Sequence, residues 1–377
     1  MQKVAPLIDK TEIKGSTPPS VFVGRFGYPK VLVGPLVPPY SGDTSLLDTP
    51  EQWFGVPIEK IIDFRFSLVR GKFLTDIYNF EGKIIEKTRE IALAKDPSDI
   101  ETYFSKKPRL SKIKDESTQP FGPSAPLVDV ESSNIKYEPK IEKAFYDTDL
   151  KARDAVLNLY ERGVLVSKIQ KSFSVGAFGL ADNRKFVPTR WSITAVDDTI
   201  GKELVTAAKE FPIINEFRIY EVNSLDNRWI ILMMPREFCY ELIEAWYPDT
   251  LWNQSREIVI FSDHEFFDGR TTYADIGGCY YSARLAVGEL LNREKRQAGA
   301  VIMRETHSGY LVPVGVWNVR ESVRAALKTR PQKFGTLQDS LNYIKMKFDI
   351  PIEVWIKNSA VLKDLIYQRR LTDFARA

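Results

Sequence analysis

The sequence predicts a mixed α/β fold, in which two regions with mixed sheets and flanking helices are followed by a short flexible C-terminal tail. Its 377 residues exceed what one ordinary core holds, and a hydrophobic fraction of 44% is enough to fill two. Short β-rich runs alternate with segments whose apolar residues recur at helical spacing. Residues 368–377 carry few apolar side chains, so we expect them to add little to a core.

Composition argues against several functional classes. Lys and Arg total 53 against 50 Asp and Glu, so any nucleic-acid face must be local. Cys239 and Cys279 form no Cys-x-x-Cys pair, which argues against a zinc ribbon and a secreted disulfide scaffold. His264 and His307 are the two histidines, and we predict no metal site. No apolar run is long enough for a membrane span, and we expect a cytoplasmic, nucleoid-associated protein.

The first third of the chain predicts a hairpin, helices and a loop. Residues 18–36 contain two β-rich runs joined at Gly27-Tyr28-Pro29, which is typical of a hairpin. Between residues 51 and 95, isoleucines at helical spacing indicate helices. Basic residues and prolines then predict a mobile basic loop over about 104–140, which could contact phosphates or only be solvated.

Helices and strands alternate through the middle of the chain. Asp149–Arg162 shows helical spacing and Gly163 is a stop signal, after which Val164–Ile169 reads as a strand. Trp191–Val196 reads as a second strand. Asp197-Asp198 ends it and could cap the next helix or hold a divalent cation.

Three further runs indicate buried strands, namely Phe217–Val222, Arg228–Met234 and Arg256–Phe261. Pro235 is expected to open a helix that extends through Trp246, because proline is favoured in a first helical turn. These elements complete a mixed α/β core.

The loop 262–270, leaving a predicted strand, is dense in titratable side chains: Asp263, His264, Glu265, Asp268 and Arg270. A loop held by a rigid strand could bring such groups together for metal binding or general acid-base chemistry. A charged surface turn closed by Asp268-Gly269 explains the same residues. Both interpretations remain open.

A second set of candidates lies in a predicted hairpin formed by 300–305 and 310–317. Arg304 and Glu305 end its first strand, and His307 lies in its turn. Glu265 and Glu305 each follow a strand beside basic or histidine neighbours that could tune their proton affinity. The preceding segment, with Gly277-Gly278, predicts a helix over about Tyr280–Ala298.

Residues 318–333 indicate a basic helix, with Asn318 and Glu321 as a capping pair. Its cations are candidates for contact with a nucleic-acid backbone: Arg320, Arg324, Lys328, Arg330 and Lys333. A solvated amphipathic helix is the alternative. Beyond it, we predict a helix starting at Thr336, a strand over Ile352–Ile356 and a short helix from Ser359.

The tail carries Gln368, Leu371 and Phe374 at a spacing of three, so one tight helical turn would present the latter two as apolar anchors. This pattern resembles the PCNA-interacting (PIP) motif for the sliding clamp, Gln-x-x-aliphatic-x-x-aromatic-aromatic. Ala375 replaces the second aromatic, which implies weaker binding. Alternatively, Leu371 and Phe374 cap a final helix against the domain.

Three unusual runs occur in order along the chain: 19–31 (PSVFVGRFGYPKV), 186–194 (FVPTRWSIT) and 315–321 (GVWNVRE). With them the chain resembles the archaeal Nre (NreA-type) DNA repair family over essentially its full length. The resemblance implies an N-terminal region over 1–261, a C-terminal region over 262–358, and a helix with a clamp-binding tail over 359–377. Some members begin with a cysteine cluster that resembles a zinc site. None stands there in this chain, so no metal is carried over.

Three functions are compatible with these residues. The first is a DNA repair factor recruited through PCNA that binds or processes damaged DNA. The second is an enzyme, either a nuclease using Asp263, Glu265 and Asp268 with Mg²⁺, or a transferase, such as an ADP-ribosyl transferase, using Arg25, Arg304 and Glu305 around a nucleotide such as NAD. The third is a clamp-bound adaptor without enzymatic activity. No cofactor is predicted for the first or third.

Overall fold

The computed structural model describes residues 8–110, 122–132, 134–250 and 252–367. The chain divides into two compact units, Met1–Ile200 (unit 1) and Gly201–Ala377 (unit 2). Each unit is built on a six-stranded mixed sheet. The predicted fold class, a mixed α/β fold with two mixed sheets and flanking helices, is therefore confirmed.

The sheet of unit 1 has the strand order β1-β5-β6-β4-β3-β2. The β4–β6 pair is parallel and the other pairs are antiparallel. Its strands are β1 (Glu12–Thr17), β2 (Val21–Val23), β3 (Lys30–Val37), β4 (Val69–Asp76), β5 (Ser98–Phe104) and β6 (Ser124–Ser132).

The helices of unit 1 are α1 (Ile58–Ser67), α2 (Lys83–Leu93), α3 (Pro139–Tyr146), α4 (Ala152–Glu161) and α5 (Val166–Ser174). The next helix, α6 (Thr189–Ala208), crosses the division at residue 200. The predicted hairpin at 18–36 is confirmed, since Val21 pairs with Pro35 and Gly27 adopts a φ of +83° in the turn.

The sheet of unit 2 has the strand order β10-β9-β11-β8-β7-β12, in which only the β9–β11 pair is parallel among the described strands. The strands are β7 (Phe217–Ser224), β8 (Asn227–Met234), β9 (Tyr240–Trp246), β10 (Val259–Glu265), β11 (Gly299–Thr306) and β12 (Gln332–Phe334). The helices are α7 (Gly278–Glu294), α8 (Trp317–Ala326), α9 (Leu337–Lys345), α10 (Ile352–Asn358) and α11 (Ala360–Tyr367).

Helices cover both faces of the sheet in unit 2. Along β11, Ala300 and Ile302 pack with α7 and α8, whereas Val301 and Met303 pack with α9, α10 and α11. Alternating side chains of one strand thus serve two separate cores. No helix in the described ranges combines the length and apolar composition that a membrane crossing needs.

Two predicted strands of the first half are helices. Val164–Ile169 enters α5, and Trp191–Val196 lies inside α6. The β-branched residues misled the prediction, because the buried positions Ser192, Val196 and Ile200 recur every four residues along one helical face. Asp197 consequently lies mid-helix, where it accepts a hydrogen bond from Gln170 Nε2 at 2.8 Å.

The helix expected from Pro235 to Trp246 is also wrong, because this segment contains strand β9, whose seven residues are all buried. Glu241 and Glu244 lie three residues apart in this buried segment, a spacing that also suits a helix, so the apolar pattern does not distinguish the two structures. The second strand of the hairpin at 310–317 is absent from the described structure, where a loop leads into α8. Ile352–Ile356 lies in helix α10 rather than in a strand.

Two smaller predictions need correction. Helix α8 begins at Trp317 with Val316 as its N-cap, so Asn318 and Glu321 lie inside the helix and are not a capping pair. Within 104–140, the region of the predicted loop, the structure has strand β6 and the start of α3. Residues 111–121 of that region lie outside the described residues. The helices predicted to start at Thr336 and Ser359 are confirmed.

Candidate functional site

Three segments of unit 1 meet beside the β2–β3 turn. The backbone N–H of Val23 donates to Thr189 Oγ1 at 2.9 Å, which ties the hairpin to the start of α6. Ile77, just beyond β4, donates its backbone N–H to Pro29 O at 3.1 Å, and Phe186 donates to Ile77 O at 2.8 Å. Segments 24–30, 76–80 and 185–191 are therefore neighbours.

Large aromatic side chains from these segments face solvent. Their exposed fractions are 75% for Phe26, 41% for Tyr28, 59% for Tyr78 and 45% for Trp191. The rings of Tyr28 and Trp191 contact each other with centroids 5.2 Å apart. We call this surface, formed by the three segments, the aromatic face.

The aromatic face is also basic. Its three segments contain four cations, Arg25, Lys30, Lys185 and Arg190, against one acid, Asp76. The guanidinium of Arg25 lies 5.0 Å from the centroid of Phe26, and Lys185 Nζ lies 5.8 Å from that of Tyr78. Exposed rings between cations form a surface on which nucleic-acid bases can stack while the phosphates are neutralised.

The catalytic candidates of unit 2 lie in strand β10 and the turn after it. Asp263 pairs with Arg270 at 2.7 Å, and Glu265, only 4% exposed, pairs with Arg284 of α7 at 3.1 Å. Burial raises the pKa of Asp263. Arg270 and two backbone N–H groups lower it by more than this, so the pKa lies below its ordinary value. His264 lies between Asp263 and Glu265 in the strand, so its side chain points to the other face of the sheet, away from α7. Glu241, its partner in β9, lies on that same face. Asp268 is exposed in the turn.

Arg304 and Glu305 are adjacent in β11 and therefore point to opposite faces of the sheet. Arg304, 2% exposed, donates to Glu244 Oε1 at 2.6 Å and to Asn227 Oδ1 at 2.9 Å. Its guanidinium lies 4.7 Å from the ring centroid of Trp229. Burial is the largest single effect and lowers the pKa of Arg304, but Glu244, Tyr310 and Cys279 together outweigh it, so the pKa is raised.

Glu305 faces the other core and joins a small cluster with His307 and Asp349. One donor atom from each of these residues lies within 4.8 Å of the others. Glu305 has no exposed surface, and burial raises the pKa of its carboxyl group. His307 Nε2 lies 3.5 Å from Glu305 Oε2.

The carboxylates of Glu265 and Glu305 do not meet. In the register with β9, Glu265 lies opposite Tyr240 whereas Glu305 lies beside Ala245, five residues further along that strand. This separation is about 16 Å at the usual strand rise. Arg25 lies in unit 1 and Arg304 in unit 2.

The predicted basic helix is only partly exposed. Arg320, 1% exposed, pairs with Glu321, and Arg324 pairs with both Glu289 and Glu321. Lys333 pairs with Glu216 at 2.8 Å. Lys328 and Arg330 follow the helix and are exposed. Three of these five cations therefore form ion pairs with acidic residues of unit 2.

The clamp-motif residues Gln368, Leu371 and Phe374 lie outside the described residues. The sequence alone does not reveal the aromatic face, because its local pattern predicts a strand at Trp191 and a hairpin turn at Tyr28. The available signal was that two of the three unusual sequence runs, 19–31 and 186–194, carry these exposed aromatic residues.

Comparison with known proteins identifies the family of the chain. The model of "Archaeal Nre, N-terminal" matches residues 1–253, and that of "Archaeal Nre, C-terminal" matches residues 265–374. The chain is 44% identical over 371 residues to a protein of Archaeoglobus fulgidus named DNA repair protein NreB, covering 96% of this chain and 94% of that protein.

Two proteins named DNA repair protein NreA are also similar. The one from Archaeoglobus fulgidus is 35% identical over 88% of this chain and 84% of its own length. The one from Haloferax volcanii is 33% identical over 96% of this chain and 88% of its own length. No solved structure matches. The resemblance seen in the three sequence runs is thus confirmed, and the chain belongs to the archaeal Nre family.

Proposed function

We propose that this protein is a DNA repair factor that binds single-stranded DNA on the aromatic face of unit 1 and is recruited to DNA by the sliding clamp PCNA. The repair role follows the names of the relatives, each called a DNA repair protein. The observation that carries the DNA-binding part is the exposed contact between Tyr28 and Trp191 within a basic surface.

Single strands fit this surface better than duplexes do. The bases of a duplex are stacked and paired, so exposed rings cannot reach their faces, whereas unpaired bases can stack on them. Each stacked base contributes about 1–3 kcal/mol, and each neutralised phosphate releases counterions. The four cations of the aromatic face can neutralise phosphates in this way, and such binding does not depend on the base sequence.

The test is fluorescence anisotropy with a labelled single-stranded oligonucleotide and the same sequence as a duplex. We expect tighter binding of the single strand by the wild type, and about five- to a hundredfold weaker binding by Trp191→Ala. The matched control is Tyr273→Ala, which removes a 60% exposed ring from unit 2. Equal affinity of Trp191→Ala and wild type would show that single-stranded DNA does not bind on the aromatic face.

Clamp recruitment rests on Gln368, Leu371 and Phe374. Deletion of residues 368–377 should abolish PCNA binding and leave single-strand binding intact, because a terminal peptide tethers without altering the body. Phe374→Ala in the isolated peptide should cost about 2 kcal/mol, and Ala375→Phe should tighten binding. Calorimetric titration of the peptides against PCNA checks this. Equal affinities of the wild-type, Phe374→Ala and Ala375→Phe peptides would show that the tail is not the docking element.

A further inference from the structure

We propose that Glu305, His307 and Asp349 of unit 2 bind one divalent transition-metal cation such as Zn²⁺ or Mn²⁺. Nothing in the proposed DNA binding or clamp docking requires this site, so the two proposals stand separately. The three residues come from the end of β11, the turn after it and the loop before α10. They are brought together by the fold, since Asp349 is more than 40 positions from the other two.

The three residues lie close enough to share one cation after small side-chain movements. One donor atom from each residue lies within 4.8 Å of the other two. The separation of 3.5 Å between His307 Nε2 and Glu305 Oε2 is long for a hydrogen bond. It is close to the roughly 3.3 Å between two ligands of a tetrahedral ion with bonds of about 2.0–2.1 Å.

His307 offers a donor atom that the described residues leave unused. Its Nε2 is buried and makes no hydrogen bond within the described part of the chain. The ring is held by stacking on Tyr247, with centroids 4.4 Å apart, and the backbone N–H donates to Asp226 O at 3.1 Å. A buried polar nitrogen without a partner is unfavourable, and a neutral imidazole nitrogen is a common metal ligand.

Glu305 is oriented for the same purpose. Its Oε1 accepts the backbone N–H of Ile350 at 2.8 Å, and its Oε2 accepts that of Asp349 at 3.3 Å. A carboxylate has about four acceptor sites, so these two bonds leave capacity for a cation. Hydrogen bonds of this kind hold metal-binding carboxylates in place in other proteins.

In the structure, Arg228 provides the positive charge that faces the carboxylates of Glu305 and Asp349. It lies opposite Glu305 in the β8–β11 register, 3.8 Å from that carboxylate, and donates to Asp349 Oδ1 at 2.7 Å. One guanidinium faces two carboxylates. Its side chain is 38% exposed and that of Asp349 is 55% exposed, so the arginine can move into solvent when a cation binds.

The donor set selects the class of ion. Two carboxylates alone would suit Mg²⁺, Ca²⁺ or Mn²⁺, but an added imidazole nitrogen favours transition metals such as Zn²⁺ or Fe²⁺ over Mg²⁺ and Ca²⁺. Three protein ligands leave at least one coordination position for water.

The test is calorimetric titration of the chelator-treated full-length protein with Zn²⁺ and with Mn²⁺. We expect one equivalent to bind to the wild type and His307→Ala to lose at least about tenfold in affinity. The matched control is His264→Ala, which removes the other histidine of the chain. Asp349→Asn is a second variant that alters an exposed ligand and therefore should not impair folding.

Arg228→Gln separates a metal site from a simple ion-pair network. Removal of the competing cation should tighten metal binding if the three residues are ligands. Absence of saturable binding in both wild type and Arg228→Gln, or equal affinities of His307→Ala and His264→Ala, would overturn the proposal and leave the cluster as an ion-pair network.

Discussion

One cluster of arginine and aromatic side chains in each unit shows how differently the same residue types can be placed. In unit 1, Phe26, Tyr28 and Trp191 are exposed beside cations of the aromatic face. In unit 2, Arg304 is almost completely buried and packs against the rings of Trp229 and Trp246. The same residue types thus form an exposed surface in one unit and an internal support in the other.

The difference teaches how to weigh charged residues as functional candidates. A buried ion pair loses the hydration of both charges, so it persists only with good geometry and additional hydrogen bonds. Arg304 meets this condition through Glu244 and Asn227. Exposed rings have no such internal explanation, and they therefore point more directly to binding.

The largest effect is expected from Arg304→Met. It leaves Glu244 buried without its cation, which should lower the free energy of unfolding by about 3–5 kcal/mol. Chemical denaturation followed by tryptophan fluorescence measures this. The double variant with Glu244→Gln should recover part of the loss, and unchanged stability of the single variant would contradict a supporting role.

Glu265→Gln should have a smaller effect on stability. The amide keeps a hydrogen-bond acceptor but removes the charge that faces Arg284 across 3.1 Å, at a cost of about 1.5–3 kcal/mol. We expect single-stranded DNA binding to remain at the wild-type level. A loss of binding at normal stability would instead place this carboxylate in a functional site.

Charge reversals compare the exposed cations of the two units. Arg190→Glu on the aromatic face should weaken single-strand binding and reduce the slope of log affinity against log salt by about 0.7. Lys328→Glu is the matched reversal in unit 2 and should change neither quantity. Anisotropy titrations at several salt concentrations measure both quantities. Equal effects of the two reversals would show that the DNA-binding surface is not confined to the aromatic face.

The smallest effect concerns pH. Burial raises the pKa of Glu241 above its ordinary value of 4.5, although Ser359 and two backbone N–H groups at the start of α11 oppose the shift. The folded state then binds the proton more tightly, so stability should fall as pH rises between the unfolded and folded pKa values. Glu241→Gln should remove this decline in a series of thermal melts. A decline of equal size in the variant would assign it to another group.

Local sequence alone was sufficient where one side of an element faces solvent. Isoleucines at helical spacing correctly indicated helices α1 and α2, and the run around Gly27 correctly indicated a hairpin. The threonine at 336 correctly marked a helix start, because its hydroxyl accepts the backbone N–H of Asp339. The family was also evident from three short runs, which no structure was needed to find.

Tertiary structure decided the fully buried elements and the sites. When both sides of an element are covered, the positions of its polar residues no longer report which side faces solvent, so β9 was indistinguishable from a helix until its neighbours β10 and β11 were known. The contact of Tyr28 with Trp191 and that of Glu305 with Asp349 join residues far apart in the chain. A sequence specifies such contacts only through the complete packing of the fold, which no local pattern contains.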